Sequence, residues 1–225
     1  MSLRFVSAGA AQGLVQALAG EQGLAIEGSF GAVGAMLAKL EDGEPADVVI
    51  LTRAQVEALA SRGRVLPGTV ADLGVVATAI AVRSADSLPD LGSEAGLRAS
   101  LLAADAIHFP DPSRATAGIH FAKVLGRLGI GERVAARLRT HPNGMTAMRT
   151  LAGAQGKPLG CTQATEILAT PGVRLVGPLP RGFELDTTYA AAVSADAADA
   201  DAATSFVRHL TGPGTRERRD AAGFR

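Results

Sequence analysis

Residues 3–18 read LRFVSAGAAQGLVQAL, and the interpretation of the whole chain starts from this stretch. An apolar segment ends at Val6, small residues follow, and Leu14 and Leu18 then recur one helical turn apart. The pattern predicts a strand, a turn and a helix. Serine, glycine and alanine in such a turn let a ligand or another backbone approach the chain closely. Tight packing of the helix on a sheet explains the same composition, and this stretch alone does not separate the two interpretations.

The same pattern of strand, turn and helix recurs along most of the chain. Strands are predicted at residues 4–7, 25–27, 47–51, 75–82, 106–109, 159–161, 174–176 and 187–193. Apolar residues between them recur at helical spacing, as in Val33, Met36 and Leu40. Such alternation predicts an α/β fold with a mainly parallel sheet.

Two predicted strands, 75–82 and 187–193, are long and lie far apart along the chain. If both cross between lobes, the chain leaves lobe one, builds lobe two and returns. Lobe one then comprises residues 1–80 and 190–225, and lobe two comprises residues 81–189.

Composition excludes several classes of function. The chain of 225 residues is 47% apolar, which is ample for a folded core. Its 22 basic residues balance 22 acidic ones, and it has no tryptophan and one tyrosine, so we expect no nucleic-acid partner. Charged residues interrupt every apolar run, so no transmembrane segment is predicted. No export signal is predicted before the first strand, because no basic segment followed by an apolar one precedes it.

Signatures of catalysis and of cofactor binding are missing from the sequence. It has no Gly-x-Ser-x-Gly, no phosphate-binding loop and no His-Glu-x-x-His. Cys161, the one cysteine, could pair with a histidine as a nucleophile, but a small core residue is the simpler interpretation. Asp111 and Glu166 are the acids that could serve as a general base, and both have ordinary structural explanations. We therefore predict a protein that is not an enzyme and needs no metal or cofactor.

Small or hydroxyl residues at the starts of several predicted helices are the more informative pattern. They occur at residues 7–10, 29–35, 111–118, 142–144 and 162–163. Helix N-termini present unpaired backbone N–H groups and a partial positive charge, and therefore bind anions. Ligands of open α/β sheets lie beyond the carboxyl ends of the strands. Several such junctions facing one cleft would surround a small anion.

The chain resembles the type II solute-binding proteins of ABC transporters, and among them the molybdate-binding branch. The resemblance rests on residues 5–10, 29–31, 44–50, 116–119, 125–129, 177–180, 206–213 and 222–224. It implies a two-lobe periplasmic-binding-protein-like α/β fold (type II), in which each lobe is a mostly parallel sheet flanked by helices. A ligand cleft lies between the lobes, which close over the solute.

The resemblance also implies positions for the ligand contacts. The family's two pocket serines fall at Ala10 and at Ala32 or Val33, and its pocket tyrosine falls at Gln163. Two backbone donors fall at Ala117 and Gly144. This chain can therefore keep the family's two backbone donors but has none of the three hydroxyl groups at the matching positions. Tight molybdate binding is not expected. The ligand-binding residues predicted in full are Ser7, Gly9, Ala10, Gly31, Ala32, Val33, Arg114, Thr116, Ala117, Gly144 and Gln163.

The predicted function is capture of a small anion, an oxyanion or a small organic acid, for ABC-type uptake. Small pocket side chains suit an organic acid, and Arg114 could pair with its carboxylate, although a surface arginine is the simpler interpretation. The expected partners are this ligand and an ABC permease, and the expected state is a monomer. The resemblance implies a periplasmic protein whose signal has been removed. Without such a signal, the alternative is a cytoplasmic sensor of small anions; an enzyme on the same scaffold is the remaining alternative.

Overall fold

The protein forms two compact units in a computed structural model that describes residues 2–225. Unit 1 extends to residue 76 and resumes at residue 187, and unit 2 comprises residues 77–186. The chain leaves unit 1 within one long strand and re-enters it at the start of another.

The elements alternate between strands and helices. The strands are β1 Ser2–Ala8, β2 Ala25–Gly31, β3 Val48–Thr52, β4 Ala71–Arg83, β5 Ala106–Pro110, β6 Leu138–His141, β7 Pro158–Gln163, β8 Val173–Pro178 and β9 Asp186–Val193. The helices are α1 Gln12–Glu21, α2 Val33–Glu41, α3 Arg53–Ser61, α4 Glu94–Ala103, α5 Thr116–Arg127, α6 Gly131–Val134, α7 Gly144–Ala152, α8 Ala164–Leu168, α9 Ala200–Thr211 and α10 Arg216–Ala221. No helix within residues 2–225 combines the length and the hydropathy needed to span a membrane.

Unit 1 is built on a sheet in the order β2-β1-β3-β9. β1 is parallel to both of its neighbours, and β9 joins β3 in the antiparallel sense. Phe5 of β1 lies at the centre of the core, where its ring meets Phe206 of α9 edge to face at 5.5 Å and stacks on Phe30 of β2. Because β1, β2 and β3 are parallel, the turns that follow them all leave the sheet at the same edge.

Unit 2 is built on a second sheet, in which β5 is parallel to β6 on one side and to β7 on the other. β4 pairs antiparallel with β7 and with β8. Alternate residues of β5, Ile107 and Phe109, enter a core that also contains Leu97 of α4 and Phe121 of α5. The turns after β5, β6 and β7 all leave this sheet at the same edge.

The predicted α/β fold is confirmed, with local corrections. Each sheet is mixed, because β9 joins β3 and β4 joins β7 and β8 in the antiparallel sense. β2 continues to Gly31, so residues 29 and 30 belong to a strand and not to the turn predicted there. The reason is pairing with β1, which extends to Ala8 opposite Gly31. β6 was not predicted, because its residues 138–141 are few and half-buried or exposed, and show no apolar alternation.

Candidate functional site

In unit 1, six of the predicted ligand-binding residues lie at the carboxyl edge of the sheet. Ala8 and Gly31, the last residues of β1 and β2, are register partners, which brings the two following turns side by side. These turns contain the predicted residues Gly9, Ala10 and Ala32. Val33 is the first residue of α2, and Ser7 and Gly31 are strand residues.

The hydroxyl of Ser7 does not point to an open surface. Ser7 is fully buried, and its Oγ donates a hydrogen bond of 3.0 Å to the carbonyl oxygen of Ala8. Residues 8–11 and 31–32 are alanines and glycines, so the turns after β1 and β2 offer backbone groups but no polar side chain. The sequence predicted Ser7 as a polar ligand contact, and the structure gives its hydroxyl a local partner instead.

Helix α2 begins at this edge without a cap. Its N-cap residue, Ala32, has no side-chain oxygen, and its first turn contains no acidic residue. By contrast, α4, α7 and α9 are capped by the side chains of Ser93, Asn143 and Asp199. A helix N-terminus without a cap presents several unpaired N–H donors, and a negatively charged group is the partner that they favour.

In unit 2, helix α5 also begins without a side-chain cap. Its N-cap residue is Ala115, and the first turn that follows, from Thr116 through Ala117, contains no acid. The preceding loop is fixed by Asp111, whose carboxylate accepts hydrogen bonds from the backbone N–H and the hydroxyl of Ser113, at 2.7 and 2.6 Å. Asp111 therefore has a structural role, and its pKa lies below the usual range mainly because of these bonds from Ser113.

Gly118 shows how closely this helix approaches its loop. A Cβ at Gly118 would lie 2.3 Å from the carbonyl oxygens of both Pro110 and Asp111. Arg114 lies two residues before α5 begins, and its side chain is exposed.

Gln163, the last residue of β7, lies at the same edge of unit 2. Parallel pairing of β5 with β7 places the end of β7 beside the loop that leads into α5. Gln163 is 3% exposed, and neither its Oε1 nor its Nε2 has a partner among the described residues. A buried amide with both polar atoms unpaired is rare in native proteins and marks a position where another partner is expected.

The last predicted donor, Gly144, faces a group of the protein itself. It begins α7, and its backbone N–H and that of Met145 are directed at the buried carboxyl group of Glu166. Thr162 Oγ1 donates a short hydrogen bond to the same carboxyl group. Burial raises the pKa of Glu166, while these bonds act in the opposite direction. Glu166 therefore fills the α7 N-terminus, where the sequence predicted a ligand.

Cys161 does not have the surroundings of a nucleophile. It is fully buried in β7 within the core of unit 2, and burial raises the pKa of its thiol. The thiolate is the reactive form, so this environment keeps the sulfur unreactive.

Two histidines that the sequence did not connect form a pair in unit 2. His108 Nδ1 and His141 Nε2 lie 3.1 Å apart, with the rings stacked at 5.3 Å. One nitrogen must donate and the other accept, so the pair requires at least one neutral ring. Burial lowers the pKa of His108 to about 4, with contributions from the charges of His141 and Arg139, and burial also lowers the pKa of His141.

This pair predicts loss of stability on mild acidification. The folded His108 stays neutral down to about pH 4, whereas the unfolded one gains a proton near pH 6.5. The free energy of unfolding should therefore fall by about 3 kcal/mol as the pH drops through this range. Urea unfolding of the wild type and of His108→Leu between pH 6.5 and 4 measures the effect. We expect the free energy of unfolding to change less with pH in the variant than in the wild type. An equal dependence on pH in both proteins would contradict the lowered pKa of His108.

Comparison with known proteins gives one family and several structural neighbours. The family model of bacterial extracellular solute-binding proteins matches residues 4–225. The periplasmic molybdate-binding protein of Azotobacter vinelandii superimposes with a TM-score of 0.75 at 24% identity, covering 99% of this chain and 98% of that one. The sulfate-binding protein of Mycobacterium tuberculosis H37Rv gives a TM-score of 0.70 at 19% identity, covering 100% and 86% of the two chains. These structures share the fold.

A further relative is an enzyme. An aconitate isomerase of a Pseudomonas species is 27% identical over 176 residues, or 76% of this chain. The match spans 64% of the length of that isomerase.

Proposed function

We propose that this chain, which belongs to the family of bacterial extracellular solute-binding proteins, captures a small organic acid anion for uptake by an ABC transporter. The observation that carries the proposal is that two helices, α2 in unit 1 and α5 in unit 2, begin with neither a side-chain cap nor an acidic residue in the first turn. Each follows a parallel strand and begins among small side chains. Backbone N–H groups and the helix dipole at such ends favour a carboxylate.

Side-chain chemistry favours an organic acid over a tetrahedral oxyanion. Alanines occupy positions 10 and 32, and the hydroxyl of Ser7 already has a partner. Each hydrogen bond from a hydroxyl group to an oxyanion would contribute roughly 0.5–1.5 kcal/mol net to the free energy of binding. An organic acid can offset such losses by burying its carbon atoms against the alanine side chains, at about 25 cal/mol per Å². Transport is part of the same proposal: the chain acts outside the cytoplasmic membrane as a monomer, and an ABC permease is its partner.

Thr116→Pro tests the backbone donor of α5. Proline at the first position of a helix removes one N–H group without breaking the helix. The preceding Ala115 already has extended dihedral angles, φ −97° and ψ 130°, which proline requires. We expect calorimetric titration with the preferred organic acid to show roughly 10- to 100-fold weaker binding, the effect of losing one hydrogen bond to a charged group.

Two further variants serve as controls for this experiment. Thr116→Ala removes the side chain but keeps the N–H group, and should bind nearly as well as the wild type. Glu94→Pro makes the same change at the first residue of α4, where Ser93 also has an extended backbone, and should leave the affinity unchanged. Equal affinities of Thr116→Pro and Thr116→Ala would contradict a role for this donor.

The related isomerase supports a second candidate function, isomerisation of an unsaturated tricarboxylic acid. Such a reaction needs a base to move a proton. In unit 2, Asp111 accepts hydrogen bonds from Ser113 in the loop before α5, and Glu166 accepts hydrogen bonds from the start of α7. Since both acids already have structural partners, the structure favours binding without turnover. Incubation of the protein with cis-aconitate, with the trans isomer measured over time, tests this candidate. We expect no conversion, and conversion that depends on the protein would make the chain an enzyme.

A further inference from the structure

We infer that Thr78, Gln163 and Thr165 of unit 2 form a subsite that recognises a hydroxyl group of the ligand, so that the preferred solutes are hydroxycarboxylic acids. The inference rests on the proposed function and specifies its ligand class. Thr78 and Thr165 were not among the residues predicted from the sequence.

Unpaired buried polar atoms are concentrated in these three residues. Among residues 2–225, seven buried side-chain nitrogen or oxygen atoms lack a hydrogen-bond partner, and four of them belong to this group. These are Thr78 Oγ1, Thr165 Oγ1, and both Oε1 and Nε2 of Gln163. The three residues are 0%, 4% and 3% exposed, respectively.

The sheet brings two of these side chains together. Thr78 of β4 and Gln163 of β7 are register partners in an antiparallel pair. Directly opposite residues project from the same face of a sheet, with Cβ atoms about 4.5–5.5 Å apart. Thr165 follows in the first turn of α8. The backbone of Thr78 is already bonded to Leu185 and Leu179, so it is the hydroxyl that lacks a partner.

The neighbouring buried polar residues show that the fold can satisfy such groups. Thr162 donates to Glu166, and Thr170 donates to the carbonyl oxygen of Glu166 at 2.7 Å. Leaving a buried donor or acceptor unpaired is unfavourable, so apolar residues would stabilise the folded protein more. Three such residues at the carboxyl edge of one sheet are therefore explained better by a ligand than by folding.

The chemistry of Gln163 determines the type of group. Its Nε2 and the threonine hydroxyls can donate to a carboxylate. Its Oε1 can only accept, and a fully ionised oxyanion or simple dicarboxylate has no proton to donate to it. A hydroxyl group satisfies both kinds of partner, because it donates one hydrogen bond and accepts others. A hydroxycarboxylic acid presents such a hydroxyl beside its carboxylate.

Titration with matched pairs of acids tests this subsite. Malate is compared with succinate, and citrate with tricarballylate, since the members of each pair differ by one hydroxyl group. We expect the hydroxy acid of at least one pair to bind tenfold or more tightly than its partner. Gln163→Leu and Thr78→Val should remove this preference and weaken the binding of the hydroxy acid at least tenfold.

Stability of the unliganded variants separates a ligand role from a structural one. Replacing an unpaired buried polar group with an apolar one should leave Tm unchanged or raise it by about 2–4 °C. Thr170→Val is the matched control, because it removes a buried hydroxyl that has a partner. It should lower Tm and keep the preference for the hydroxy acid. A loss of Tm in Gln163→Leu as large as in Thr170→Val would overturn the inference.

The outcomes also distinguish this inference from the proposed function. Equal binding of both members of each pair overturns the hydroxyl subsite while capture of an organic acid stands. If none of the four acids binds and molybdate does, the proposed function itself fails.

Discussion

Gly144→Ala is expected to destabilise the protein by about 3 kcal/mol or more. A Cβ at this position would lie 1.9 Å from Glu166 Oε2 and 2.0 Å from Thr162 Oγ1. Neither atom can move aside cheaply, because both residues are buried and hydrogen-bonded to each other. The methyl group would separate the Glu166 carboxyl group from the α7 N-terminus, so that this buried group would lose the backbone N–H partners of Gly144 and Met145. Thermal unfolding should show Tm lowered by roughly 6–12 °C.

Gly126→Ala is the matched control for this variant. Gly126 lies inside α5, is exposed, and a Cβ there would meet no atom within 4 Å. Alanine is favoured over glycine in a helix interior by up to about 1 kcal/mol, so this variant should be slightly more stable than the wild type. If Gly144→Ala and Gly126→Ala gave the same Tm, the contact between Glu166 and the start of α7 would not hold α7 in place.

Asp47→Asn is expected to lower the free energy of unfolding by about 2–3 kcal/mol at neutral pH. The carboxylate of Asp47, 3% exposed, accepts hydrogen bonds from the backbone N–H and the guanidinium of Arg4 and from the N–H of Ala198. It therefore joins β1 to the segment after β9 within unit 1. The guanidinium of Arg4 is the main reason that the pKa of Asp47 falls to about 2, against the opposing effect of burial. Asparagine keeps one acceptor oxygen and loses the charge.

The sign of the pH dependence follows from the lowered pKa of Asp47. Its contribution is complete above the unfolded value of 3.8 and disappears as the pH falls to about 2. Urea unfolding at neutral pH and between pH 4 and 2 measures the effect. Asp47→Asn should have a lower free energy of unfolding than the wild type at neutral pH, and that free energy should fall less than in the wild type on acidification. Glu57→Gln, in the exposed pair with Arg53, should change stability by less than about 1 kcal/mol. An Asp47→Asn variant as stable as Glu57→Gln would contradict the role of Asp47.

Much of the fold could be predicted from local pattern. The alternation of apolar segments with helical spacing gave the α/β class, and the order of short motifs gave the resemblance to type II solute-binding proteins, which the family match confirms. The predictions failed where pairing between distant segments decides the structure. β2 extends to Gly31 because β1 continues beside it, and β6 forms because β5 offers a free edge.

The predicted binding site shows the same limit. Small residues after β1, β2 and β5 marked the positions of uncapped helices correctly, because cap residues are local in sequence. Sequence alone did not show that Glu166 faces the start of α7, since the two lie on different elements. The pairing of Thr78 with Gln163 was missed for the same reason. The assignment of the predicted residues to a ligand remains a prediction.

The central claim is that the chain binds a small organic acid in preference to an oxyanion, and thermal unfolding with a panel of anions tests it most directly. The panel contains molybdate, sulfate and phosphate, and mono-, di- and tricarboxylic acids with and without hydroxyl groups. A ligand at one hundred times its Kd stabilises the folded state by about 2.7 kcal/mol, which raises Tm by roughly 5–10 °C. We predict this rise with one or more carboxylic acids and none with molybdate. A rise with molybdate or sulfate and with no carboxylic acid would contradict the claim.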